Sequence, residues 1–180
     1  ETAIERPADV AFIGRRLRAE QFTAPYKRYA LGATGVSPMA IPGTPGGQHT
    51  ADGLTHTERG TPTSMLADHH AQLDKRRDKL DRFAYGDSWA TIEGDGELAV
   101  LTWGSLTGAA REALEVARAQ GLAVRLIAPR LLLPTRPQEM AAALAGVKRV
   151  LVVEQTHSAQ FHAYLKAHYQ LPADTRVLNR

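Results

Sequence analysis

Leu98-Ala99-Val100-Leu101-Thr102-Trp103, followed by Gly104-Ser105-Leu106-Thr107-Gly108, decides the fold. The first six residues are almost continuously apolar, as a parallel strand covered on both faces requires. After the glycine-bounded turn, Ala110, Ala113, Leu114 and Ala117 fall on one face of a helix that Gly121 closes. Leu122 to Ala128 reads as a second strand ended by Pro129, and a helix is expected from Pro137 to Ala145. Val147 to Val153 is a third strand, Ser158 is placed to cap a helix reaching Tyr169, and Thr175 to Leu178 begins a fourth strand. Strand and helix alternating in this way predict right-handed crossovers and an α/β fold, a parallel sheet flanked by helices. Sites in such folds lie beyond the carboxyl ends of the strands, here Trp103–Thr107, Ala128–Leu131 and Glu154–His157.

The chain before Glu97 has a different character. Gly94-Asp95-Gly96 reads as a turn before the first strand. Thr61-Pro62-Thr63-Ser64 supplies helix-start signals, and the helix is expected to run from Ser64 to Phe83. Its apolar residues Leu66, Leu73 and Leu80 are seven apart with little else apolar around them, so it offers one narrow seam and reads as a polar strut. Between Pro38 and Gly60 the density of Gly and Pro rules out a regular helix or an interior strand. A loop of about twenty residues, against the usual 4 to 6 or so, is either functional or a linker. Gly46 and Gly47 leave room for close backbone approach, and Gln48, His49, Thr50, His56 and Glu58 present polar tips. Farther upstream, Val10, Ile13 and Leu17 form the stripe of a short amphipathic helix, and Phe22, Tyr26 and Tyr29 suit a covering arm. The expected division is therefore 1–86, an extended connector with a polar helix, and 87–180, an α/β domain truncated at both ends.

The 180 residues suffice for one core of ordinary size plus an arm. Charged residues make up 23% and the formal charge is +3, with basic and acidic residues interspersed, which gives nucleic-acid binding little support. No apolar run approaches the length of a bilayer span, so no membrane role is expected. Cysteine is absent, which excludes disulfides, thiolate zinc and iron–sulfur ligation by this polypeptide. The chain does not open with a charged-then-apolar leader, so no secretory signal is expected and the cytoplasm is the default expectation.

No motif assigns a catalytic residue. Gly94-Asp95-Gly96 opens like a thiamine diphosphate motif, but the closing pair of Asn is missing, since Asn179 is the single Asn. Gly104, Ser105 and Thr107 are candidates to hold an anion at a strand-to-helix junction; the competing reading is an ordinary helix cap. That junction matches neither the P-loop, nor the dinucleotide fingerprint, nor the nucleophile elbow. Among the seven His no metal-ligand spacing occurs, and none is assigned to a metal. Glu154, at the end of an apolar strand, is either paired at a site or caps the following helix, and Gln160 lies just beyond it.

The run Ile41-Pro42-Gly43-Thr44-Pro45-Gly46-Gly47-Gln48-His49-Thr50 through Arg59-Gly60 resembles the alpha subunit of 2-oxoacid:ferredoxin oxidoreductases, nearest the 2-oxoglutarate type. The resemblance continues through His69, Lys75 to Leu80, Trp103-Gly104-Ser105, Leu133-Pro134 and Val152-Val153-Glu154-Gln155 with Gln160. It implies the carboxyl-terminal part of that subunit, with a fold similar to the transketolase carboxyl-terminal domain. In such enzymes a 2-oxoacid and CoA give acyl-CoA and reduced ferredoxin. Thiamine diphosphate, magnesium and a [4Fe-4S] cluster would then be held mainly by the beta subunit and upstream alpha domains. Gly46, Gly47, Gln48, His49, Thr50, His56, Glu58, Glu154 and Gln160 become interface or site-approach residues on this reading. The segment itself would be non-catalytic. The alternative is a free-standing α/β module that binds an anionic ligand at Gly104–Gly108.

Overall fold

The computed structural model describes residues 18–19 and 25–179. The stripe of Val10, Ile13 and Leu17 and the residue Phe22 lie outside the described residues. The chain forms two compact units, one ending at Phe83 and one starting at Ala84.

In the first unit, β1 (Arg18–Ala19) pairs in parallel with β2 (Met39–Ala40). Most of the Gly/Pro segment is irregular, as its composition requires, but it is tightly tied. Ile41-Pro42-Gly43-Thr44 and Thr44-Pro45-Gly46-Gly47 are consecutive turns, closed by Thr44 N–H to Ile41 O at 3.0 Å and Gly47 N–H to Thr44 O at 3.1 Å. Proline at the second position and glycine with φ of +88° (Gly43) or +78° (Gly46) at the third is the chemistry of type II turns. The end of the segment is a narrow hairpin, with Thr57 N–H to Thr61 O and Thr63 N–H to Thr55 O both at 2.9 Å.

Helix α1 spans Leu66–Asp81, shorter than the expected Ser64 to Phe83. No side chain caps it from the preceding residue, Met65. Thr63 stands two residues earlier, where its hydroxyl accepts the Met65 N–H at 3.1 Å and donates to Asp68 at 3.0 Å. The face of α1 that meets its own unit is the polar one. Gln72 is 3% exposed, and its amide and the Lys75 ammonium both donate to the Tyr29 carbonyl, at 3.1 and 3.0 Å. The leucine seam points the other way: Leu66, Leu73 and Leu80 are 66, 43 and 47% exposed.

The second unit carries β3 (Ala90–Glu93), β4 (Leu98–Leu101), α2 (Leu106–Ala119), β5 (Val124–Pro129), α3 (Pro137–Ala143), β6 (Arg149–Val153), α4 (Gln160–His168) and β7 (Asp174–Leu178). Sheet order is β3-β5-β4-β6-β7, with β5, β4, β6 and β7 parallel as expected. The addition is β3, which runs antiparallel to β5 at the edge. It escapes a sequence reading because only Ala90 and Ile92 are apolar, and Ile92 faces outward on a one-sided edge. The turn at Gly94-Asp95-Gly96 carries the chain from β3 past the start of β5 to β4. A Cβ on Gly94 would stand 2.6 Å from Val124 O, and one on Gly96 2.5 Å from Ala123 O, so only glycine passes this close.

The helices cover the sheet unequally. Ala110 and Leu114 of α2 pack with Val124, Leu126 and Ala128 on one side. Met140, Phe161 and Leu165 of α3 and α4 pack with Leu101, Ile127, Val150 and Val152 in the larger core on the other. Helix α2 ends as the sequence demands, with Gly121 N–H to Arg118 O at 2.9 Å and Leu122 N–H to Ala117 O at 3.0 Å, the paired bonds of a Schellman motif. Among the described residues no helix is long and apolar enough to cross a membrane.

Candidate functional site

Chain order leaves β4 for β5 on one side and returns to β6 on the other, so the carboxyl ends of β4 and β6 flank the topological switch point of the sheet. Those ends are Trp103-Gly104-Ser105 and Glu154-Gln155-Thr156-His157. Thr102, fully buried, ties them together by donating from its hydroxyl to Val153 O at 2.9 Å. Trp103 then turns outward, about half exposed, with its ring 6.0 Å from that of Phe161. Ser105 precedes α2 in helical geometry and makes no side-chain cap bond, while Thr107 N–H closes a turn onto Gly104 O at 3.2 Å.

Glu154 is buried at the foot of α4. One carboxylate oxygen accepts the Phe161 N–H at 2.9 Å and the Thr156 hydroxyl; the other accepts the His162 N–H at 2.9 Å. Thr156 in turn accepts the Gln160 N–H at 3.1 Å. The start of α4 is thus held by Glu154 and Thr156, not by Ser158 as the spacing suggested. The residue just before the helix, Ala159, sits at φ 53° and offers no side-chain cap. Of the two roles expected for Glu154, the structure shows the cap. Gln155 and Gln160 are exposed.

Burial pushes the Glu154 carboxyl up, but the Thr156 hydroxyl and the two amides more than offset this and hold it below the usual carboxylate range. A depressed carboxylate contributes stability that is present above its unfolded pKa, about 4.3, and lost as pH falls through the lower folded value. Glu154→Gln is expected to cost about 1 to 3 kcal/mol at pH 7. The gap from wild type should narrow as pH falls below the unfolded value and close once pH has passed the lower folded one, where the wild-type carboxyl is also protonated. Urea unfolding followed by tryptophan fluorescence at several pH values measures this, and an unchanged gap at acid pH would refute it.

In the first unit, Glu58 fastens the Gly/Pro segment of residues 38–60, here termed the strap. Its two oxygens accept the Lys27 ammonium and the Leu31 N–H, each at 2.9 Å, while its carbonyl takes the Tyr29 N–H at 2.9 Å. The Lys27 and Leu31 bonds hold the carboxyl below its ordinary value. The ring of His56 stacks on Tyr29 with centroids 3.7 Å apart. His49 turns its Nδ1 to Gly47 O at 2.9 Å and its ring edge to Tyr26. Gln48 and Thr50 are exposed, whereas Gly47 is buried. The structure therefore gathers Glu58, His56 and Tyr29 against the arm and leaves Gln48 and Thr50 at the surface. His69 accepts from or donates to the Thr55 hydroxyl at 2.9 Å, and no group of three His, Asp or Glu able to hold a metal occurs among the described residues.

Residues 96–174 match the family described as pyruvate:ferredoxin oxidoreductase core domain II. The chain is 30% identical over 160 residues to the alpha subunit of 2-oxoacid:ferredoxin oxidoreductase 2 of Aeropyrum pernix, covering 86% of this chain and 25% of that protein. It is 29% identical to the 2-oxoacid:ferredoxin oxidoreductase alpha subunit of Saccharolobus solfataricus, covering 88% of this chain and 27% of the relative. Among solved structures it resembles the 2-oxoglutarate:ferredoxin oxidoreductase of Magnetococcus marinus, which was determined with 2-oxoglutarate, coenzyme A and succinyl-CoA bound. That similarity has a TM-score of 0.70 at 32% identity and covers 92% of this chain and 29% of the other. The chain spans about a quarter of the length of these relatives. With this fold over 96–174 and a likeness that runs through both units, the chain is a homologue of part of the alpha subunit of 2-oxoacid:ferredoxin oxidoreductases.

Proposed function

We propose that this chain is the non-catalytic carboxyl-terminal portion of the alpha subunit of a thiamine diphosphate-dependent 2-oxoacid:ferredoxin oxidoreductase of the 2-oxoglutarate type. The observation that carries the reading is the 92% overlap with a solved 2-oxoglutarate enzyme at 32% identity, across strap, strut and sheet alike. Residues 1–86 are the connector, and 87–180 the domain similar to the transketolase carboxyl-terminal domain. The enzyme acts in the cytoplasm, turning a 2-oxoacid and CoA into acyl-CoA while reducing ferredoxin.

The residues of this chain do not fit a resident thiamine diphosphate, magnesium or iron–sulfur cluster. It has no Cys and a single Asn, and Glu154, the best-placed carboxylate, spends both oxygens on α4 and Thr156. No chemical step is placed on these side chains. Their part is assembly: the strap and α1 lie against upstream alpha domains and the beta subunit, where Gly46 to Thr50, His56 and Glu58 shape the approach to the site. Gln160 and the Glu154-braced start of α4 do the same at the carboxyl end of the sheet.

Assay of the purified 180-residue chain with 2-oxoglutarate, CoA and ferredoxin is expected to give no turnover, and turnover should appear once the remaining alpha domains and the beta subunit are added. Turnover by the chain alone would contradict the proposal.

A further inference from the structure

We propose that the cleft between the arm and α1 in the first unit is a binding site for a phosphate-bearing small molecule with an apolar body. The inference does not depend on the oxidoreductase reading. The cleft measures about 410 Å³, within the range of small-molecule sites, roughly 300 to 1,000 Å³. Arg28 enters its wall from the arm, and Lys75, Arg76 and Lys79 enter from adjoining turns of α1. Such a concentration of like charge in one concavity needs a counter-charge, because each cation raises the cost of the others.

Among the described residues the acids of this unit do not supply it. Asp74 and Asp78 are engaged by Arg77 and Arg82 on the outer side of the helix, and Glu58 is engaged by Lys27 and the Leu31 N–H. Among the described residues Arg28, Lys75, Arg76 and Lys79 have no carboxylate within ion-pair distance. Lys75 spends its donors on neutral acceptors, the Tyr29 carbonyl and the Ser37 hydroxyl. Its ammonium is held below the usual lysine value, first by burial, then by Arg28 and Lys79, with Glu58 pulling the other way and Arg76 adding to the repulsion.

The shape of the wall narrows the ligand class. Four cations around one cleft suit a multiply charged oxyanion better than a single carboxylate, and Arg presents the forked donors that match phosphate oxygens. Beside them the Tyr29 ring, stacked on His56 and with the Arg28 guanidinium over it 5.1 Å from its centroid, forms an aromatic part of the wall. Val36 and Met39 add an apolar margin. Phosphate at the cationic end and an apolar body against Val36 and Met39 use both halves at once.

Calorimetric titration of the 180-residue chain with inorganic pyrophosphate and with ADP tests this, alongside the double variant Arg76→Gln/Lys79→Gln. Both substituted side chains are exposed on α1, and circular dichroism verifies that the variant folds. The expected result is saturable one-to-one binding of both probes, tighter for ADP, and weakened more than about tenfold in the variant by loss of two charge-assisted contacts. Absence of saturable binding by wild type, or equal binding by the variant, would overturn the proposal. Exclusion of ADP on assembly with partner subunits would overturn it too, by showing that the cleft is a protein contact.

Discussion

Replacing Leu101 by Ala is expected to lower the stability of the α/β unit by about 2 to 5 kcal/mol. Leu101 is wholly buried on β4, the central strand, and its side chain belongs to the core that α3 and α4 cover with Met140, Phe161 and Leu165. Sheet neighbours on both sides hold the backbone in place, so the site cannot collapse around a smaller residue and the lost contacts persist as a cavity. Against a total of about 5 to 15 kcal/mol for a whole domain, the loss brings the unit near its limit. The two tryptophans of the chain, Trp89 and Trp103, both lie in this unit, so their fluorescence in urea reports its unfolding. Val116→Ala, at an exposed position of α2, is the control and should change stability by no more than about 0.5 kcal/mol. Equal effects of the two substitutions would refute the assigned core.

The parts of the fold that could be read in advance are those where one residue type answers one physical demand. Leu98 to Leu101 had to be an interior strand because its apolar residues leave no face for water, although Trp103, read as its end, turns outward beyond it, and Gly121 marked the end of α2 through a backbone geometry that it accepts without strain. Where several partners compete, the pattern gave less. β3 is an edge strand with one buried face, so four residues carry too little apolar content to announce it. Capping of α4 was one of the two roles that the place of Glu154 offered; the choice between them is fixed by the sheet, which delivers the carboxylate to a helix that starts six residues later. The Leu66, Leu73 and Leu80 seam was legible as a seam. Which way it faces was not, because the opposite face of α1 is held by Gln72 and Lys75 through a carbonyl of the arm 43 and 46 residues away in sequence.

That orientation yields the second large effect. On the proposed assembly, changing Leu66, Leu73 and Leu80 together to Ala is expected to weaken association of this chain with the remaining alpha domains and the beta subunit by more than about a hundredfold. Each leucine presents much of its side chain to solvent in the isolated chain, and full burial is worth about 1.5 kcal/mol or more apiece. Because the three side chains contribute little to their own unit, each change should alter its stability by no more than about 0.5 kcal/mol. A loss of binding would therefore not be a loss of fold.

The most direct measurement is calorimetric titration of the wild-type and triple-variant chains into the remaining alpha domains combined with the beta subunit. The account predicts tight saturable binding of wild type and its near abolition in a variant with unchanged circular dichroism. Equal binding of both chains, or no binding of the wild type, would contradict it.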